Sequence, residues 1–228
     1  WYRVVSISGH QLAAKPSAAR ENLFYRLDLL YRAGRYQDVI ELAERLLKLD
    51  PDNADILQLK ASSQLNSGQR LAAIYSYRHL EKYPLYKKSA IYQQVKAYYE
   101  LEQYLDAKAL IDQLLVQQPE EADAYLICTE ISLQLSDVIG AVSCAEDGLS
   151  KHPEHVDLRF LLGRSYLLAA IIDQGLQEFN AALKLQPGNH PLRLKIADEL
   201  MALQRYQEAL EHYEQAAPLW IFARCQDF

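Results

Sequence analysis

His152 and His155, in the sequence His-Pro-Glu-His, have a spacing at which two imidazoles on a helix can share a metal ion. The proline between them calls for a polar turn and no third ligand can be named, so the expectation is a solvated loop and no metal. Cys128 and Cys144 are the next candidates, as a redox pair. With Cys225 they make an odd set of three without metal-ligand spacing, which points to reduced thiols used as small core fillers. The chain has no Gly-rich phosphate loop, no His-Glu-x-x-His and no serine framed by the glycines of a nucleophile elbow. The expectation is therefore a protein that is not an enzyme and carries no cofactor.

Composition narrows the partners. With 24 Lys+Arg against 30 Asp+Glu the net charge is -6, the wrong sign for a phosphate-binding surface, so nucleic acid is not an expected partner. Half of the residues are apolar, enough for a continuous core, yet no apolar run approaches the roughly 18 residues of a membrane span. Only 8 Gly and 8 Pro are present, and no stretch reads as a linker. The start at Trp1 without Met suggests a fragment or processed form; the compartment stays open, with the unpaired cysteine count leaning to the cytoplasm.

What must position any functional side chain is a repeat. Pro51, Pro119, Pro153 and Pro187 fall on one lattice of period 34, with Pro84 one place early. Frames 20–53, 54–87, 88–121, 122–155, 156–189 and 190–223 cover the chain without insertion, leaving 1–19 as an arm and 224–228 as a stump. The same chemistry recurs at the same offset in Gly34-Arg35-Tyr36-Gln37-Asp38, Gln103-Tyr104-Leu105-Asp106 and Arg205-Tyr206-Gln207-Glu208, marking a turn and the start of a second helix. The twentieth position of each frame is Val39, Ala73, Ala107, Ala141, Gly175 and Ala209, small where two helices must cross; the eighth faces it, with Ala61, Gly163 and Ala197 among its residues. Apolar spacing as in Val39-Ile40-Leu42-Ala43-Leu46-Leu47 gives the 3.6-residue period of an amphipathic helix.

On these residues the chain resembles the tetratricopeptide repeat family over residues 20–223. The resemblance implies an all-α fold, a right-handed α-solenoid of stacked antiparallel helix-turn-helix repeats with a concave wall. The fourth repeat departs most, with Cys128, Thr129 and Val138, and is expected to be a looser joint. A 35-residue RNA-binding pentatricopeptide array is disfavoured by the period and the acidic charge.

In the family the first helix of each repeat lines the wall, chiefly through its second, fifth, ninth, twelfth and thirteenth positions. Carried onto this sequence, the fifth and twelfth give Phe24, Tyr31, Tyr92, Tyr99, Leu126, Phe160, Leu167 and Met201, an apolar and aromatic strip. The ninth adds Asp28, Lys96, Glu130 and Arg164, charges that would set the register of a bound segment. The expected partner is a protein, presenting a peptide or an amphipathic helix for assembly of a larger complex. Against this stands packing between adjacent first helices, which would bury part of the strip. The family's carboxylate clamp for chaperone tails is not expected, because Phe24 and Asp28 stand where Lys and Asn are needed.

Two other roles stay open at this level. One is a self-assembling, homo-oligomeric frame; the other is a regulatory arm of a larger enzyme or secretion component. Residues 1–8 alternate weakly like an extended arm, and Leu219-Trp220-Ile221-Phe222 after Pro218 is an apolar run that a capping helix or partner would cover.

Overall fold

The 34-residue lattice is realised in a computed structural model that describes residues 18–117 and 120–216. The first-helix series comprises α1 (Ala18–Arg32), α3 (Ala54–Asn66), α5 (Pro84–Glu100), α7 (Ala122–Gln134), α9 (Val156–Leu168) and α11 (His190–Ala202). Each is followed by its second helix: α2 (Tyr36–Leu49), α4 (Arg70–Leu80), α6 (Tyr104–Gln117), α8 (Val138–Lys151), α10 (Ile172–Leu185) and α12 (Tyr206–Ala216). Among the described residues there is no strand. The fold is an all-α solenoid of helical hairpins. The arm before residue 18 and the run 219–222 lie outside the described residues, as does the stump 224–228.

All six turns within hairpins are built alike. Gly34, Gly68, Glu102, Ser136, Ala170 and Gln204 have φ between 58° and 79°, the left-handed region, and they stand 34 residues apart. At each, the following N–H reaches back five residues (Arg35 N to Leu30 O 2.9 Å, Ile171 N to Tyr166 O 2.8 Å, Arg205 N to Leu200 O 3.0 Å). The left-handed residue itself bonds three back, so the two bonds satisfy carbonyls that the helix end would otherwise leave without donors.

Junctions between hairpins use side-chain caps. Asn53 Oδ1 accepts from Ile56 N–H at 3.1 Å and Asn189 Oδ1 from Leu192 N–H at 2.9 Å. His155 occupies the same slot of its repeat, its Nδ1 accepting from Leu158 N–H at 3.2 Å. Arg159 and Arg193, one repeat apart, donate to the carbonyls of Pro153 (2.7 Å) and Pro187 (3.2 Å), tying the proline turn to the helix that follows.

By packing, the chain divides inside α5 into two compact units, Trp1–Ala97 and Tyr98–Phe228. In the N-terminal unit, Leu27, Val39, Ala43 and Ile56 form one buried cluster, and Leu57, Ala61, Ala73, Tyr77 and Leu80 another. In the C-terminal unit the core runs from Phe160 and Leu161 through Phe179 and Leu183 to Ile196, Leu200 and Ala209. The small eighth and twentieth positions do meet. A Cβ on Gly163 would come within 3.0 Å of Gly175 O, and one on Gly175 within 2.9 Å of Gly163 O.

Candidate functional site

Within the C-terminal unit, α7, α9 and α11 line one face. Helices α7 and α9 pack directly. Between α9 and α11, Arg164 Nε lies 3.0 Å from Glu199 Oε1, at an angle that makes it an ion pair without a hydrogen bond, and Lys195 Nζ sits 5.7 Å from the centre of the Phe160 ring. Leu126 and Leu133 on α7 are half-buried, whereas Leu194 and Met201 on α11 are 43% and 44% exposed. The equivalent residues of α9 are different: Phe160 (8%) and Leu167 (6%) are buried. Phe160 stacks on Phe179 with centroids 5.4 Å apart, and Leu167 belongs to the same core. The wall predicted as one apolar strip is therefore interrupted where α9 is flanked by first helices on both sides.

Two carboxylates on this face, Glu130 and Glu199, are partly withdrawn from solvent. Glu130 is half-buried, and its carboxyl is pushed above the usual range, chiefly by burial and further by Asp157, against the pull of Lys195 and Arg164. Glu130 on α7 thus interacts across α9 with Lys195 on α11. Among the described residues it has no hydrogen bond or close ion pair. Glu199 is raised as well, by burial first and by Asp198, with Arg164 opposing. Tyr99, from the end of α5, is raised by burial and by Glu130, and packs edge-on against Tyr104 with centroids 5.5 Å apart.

In the N-terminal unit the predicted residues are engaged locally. Phe24 packs half-buried on the Leu27 cluster, and Asp28 is 2.7 Å from Arg32 Nε. Tyr31 Oη accepts from Asn66 Nδ2 at 3.1 Å and its ring meets Tyr36 edge-on. Tyr92 is half-buried with the exposed Lys96 ammonium 5.9 Å from its ring centre. A cleft of about 450 Å³ opens beside α3 and α4; its Lys60 and Lys82 are paired to Glu44 (3.1 Å) and Asp52 (2.5 Å), and the buried Gln64 on its wall accepts from Ser76 Oγ at 2.7 Å. Nothing in the repeat pattern singles out that cleft.

One expectation about reactive residues changes. Cys128 and Cys144 are disulfide-bonded across α7 and α8, with Cα atoms 6.0 Å apart, instead of standing as reduced thiols. The bond cross-links the fourth hairpin, the one whose sequence suggested a looser joint, and it removes the thiol-based lean toward the cytoplasm. The histidines serve junctions: besides the cap made by His155, His152 Nε2 lies 3.2 Å from Glu120 O.

Comparison with known proteins agrees with this architecture. Family profiles described as "Tetratricopeptide repeat" match residues 20–63, and again 92–138 and 133–190. A tetratricopeptide repeat protein from Parabacteroides merdae superposes with a TM-score of 0.77 at 18% identity, covering 87% of this chain and 79% of that one. MamA from Desulfovibrio magneticus RS-1 gives 0.63 at 19% identity, over 78% of this chain and 98% of that one. YrrB, described as a TPR protein with an unusual peptide-binding site, gives 0.58 at 17% identity, over 76% and 90%. These likenesses are of fold. A search of curated proteins returns no match. No helix among the described residues is long and apolar enough to cross a membrane.

Proposed function

Because the chain belongs to the tetratricopeptide repeat family, a protein-interaction scaffold fold, we propose that the first-helix face of its C-terminal unit binds a peptide or amphipathic helix of a partner protein, without catalysis. The observation that carries this reading is the pair Leu194 and Met201, exposed on α11, with half-buried Leu126 and Leu133 at the equivalent offsets of α7. The exposed parts of Leu194 and Met201 face water in the free protein, and burial against a partner segment would remove them from it. A buried core behind them keeps the face preorganised, which lowers the ordering cost of binding. YrrB, with its peptide-binding site, supports the reading by analogy of fold.

The test is to pan a random 16-residue peptide display library against the whole chain, and then measure the selected peptides on the double substitution Leu194→Ser, Met201→Ser. Binding should be lost while the melting temperature holds; peptides that bind the double variant as well as the parent would overturn the assignment of the face. A second reading is self-assembly, favoured by Tyr206 (59% exposed) and Leu210 (49%) on α12. Light scattering over a range of concentrations separates it from the first.

A further inference from the structure

The apolar face just assigned carries an asymmetric set of charges. Asp123, Asp157 and Asp198 are exposed on α7, α9 and α11, and Glu130 and Glu199 are half-buried among them. The cations near them are Arg164, paired with Glu199 at 3.0 Å, and the exposed Lys195, above the Phe160 ring at 5.7 Å and drawing on Glu130 from a distance. Five carboxylates therefore stand near two cations, of which Arg164 is already paired with one of the five, Glu199. Glu130 stands out within the set. It lies between the apolar Leu126 and Leu133 on its own helix and is half-buried, and among the described residues no hydrogen-bond donor reaches it; Lys195 and Arg164 offset its burial only in part and from a distance. A half-buried carboxylate without a donor is a cost to the free protein. A cationic side chain brought in by a ligand would convert that cost into a charge-assisted hydrogen bond in a poorly solvated setting.

From this geometry we infer that the partner segment is basic and apolar: a Lys or Arg that pairs with Glu130, flanked by aliphatic or aromatic residues that cover Leu126, Leu194 and Met201. The inference rests on the peptide-binding reading above and names its partner by chemistry. It is opposite in sign to a site for an acidic tail. Asp157, exposed on α9 next to this position, reinforces the preference, since it raises the Glu130 carboxyl and would equally attract an approaching cation. The remaining acidic residues, Asp123 and Asp198, extend the field to either side along the series and would speed encounter with a basic segment.

The experiment uses the same display library on the whole chain, followed by anisotropy titration of the selected peptides against the parent, Glu130→Gln and the distant control Glu154→Gln. The selected peptides should be enriched in Lys or Arg beside apolar residues. Glu130→Gln should weaken them by about fivefold or more, as should raising salt, with the control unchanged and the melting temperature no lower than the parent's. If the selected peptides are neutral or acidic and Glu130→Gln leaves their affinity intact while Leu194→Ser, Met201→Ser abolishes it, the basic-partner inference fails and the groove stands. If the double substitution has no effect, the groove itself fails. If the face is instead closed by a second copy, self-association that disappears in the double variant would overturn a basic foreign partner as its occupant.

Discussion

Gly163 and Gly175 face each other across the crossing of α9 and α10 so closely that each glycine's carbonyl oxygen lies only 2.9 to 3.0 Å from where the other would put a Cβ. The same phantom Cβ atoms would also lie 2.6 Å from Phe179 Cδ1 and from Leu167 Cδ2. The side-chain contacts could be eased by a rotamer change, but the contacts with the backbone oxygens could not. Alanine has a better helix propensity than glycine by about 1 kcal/mol, but forced overpacking costs about 1–3 kcal/mol. Gly175→Ala is expected to lower stability in urea denaturation despite its higher propensity; a rise would mean the crossing can open without penalty.

Phe160 belongs to the core, and substituting it should report on folding. Its ring is 8% exposed and stacked on Phe179. Phe160→Ala is expected to cost about 3–5 kcal/mol, whereas Leu194→Ser, at an exposed position, should stay within about 0.5 kcal/mol. Equilibrium denaturation of the two variants side by side decides whether stability and binding separate as the exposures predict.

Ala170 holds a left-handed backbone at φ 61° in a turn that Gly34 and Gly68 occupy elsewhere without steric cost. Ala170→Gly is expected to stabilise the protein by about 1 kcal/mol, and Gly34→Ala to destabilise it by a similar amount. Thermal melts of both variants test the turn geometry directly.

Glu130 gives a pH signature. Its folded carboxyl is raised above the ordinary value of 4.5, mainly by burial, so its contribution to stability is full at pH below that value and is lost as pH rises through the higher folded one. Glu130→Gln removes this dependence. The variant should melt at or slightly above the parent temperature at pH 7, and the difference should shrink to nothing as pH falls toward 4. A variant that melts lower at pH 7 would show that the carboxylate is compensated after all.

The fold was legible because the period and the small eighth and twentieth positions are chemical regularities that the close crossing of two helices demands. The turn residue was not. Gly34, Glu102, Ser136 and Gln204 share no chemistry, only a backbone angle and a bond to the carbonyl five residues before the next residue. The site was legible as a helix series but not residue by residue. Phe160 and Leu194 hold the same offset, yet one is buried and the other 43% exposed, because α9 has first helices on both sides and α11, among the described residues, has one. Sequence periodicity states which way a side chain points within its repeat; how much of it stays in water depends on how many neighbours the repeat has.

The uniform turns give the chain natural seams. A segment of 34 residues removed or duplicated between any two of them rejoins two backbones already in the same conformation, with the same pair of hydrogen bonds waiting on either side. Array length in such a chain can drift by whole repeats over generations without the break ever falling inside a helix, while the identity of each face is left to individual substitutions.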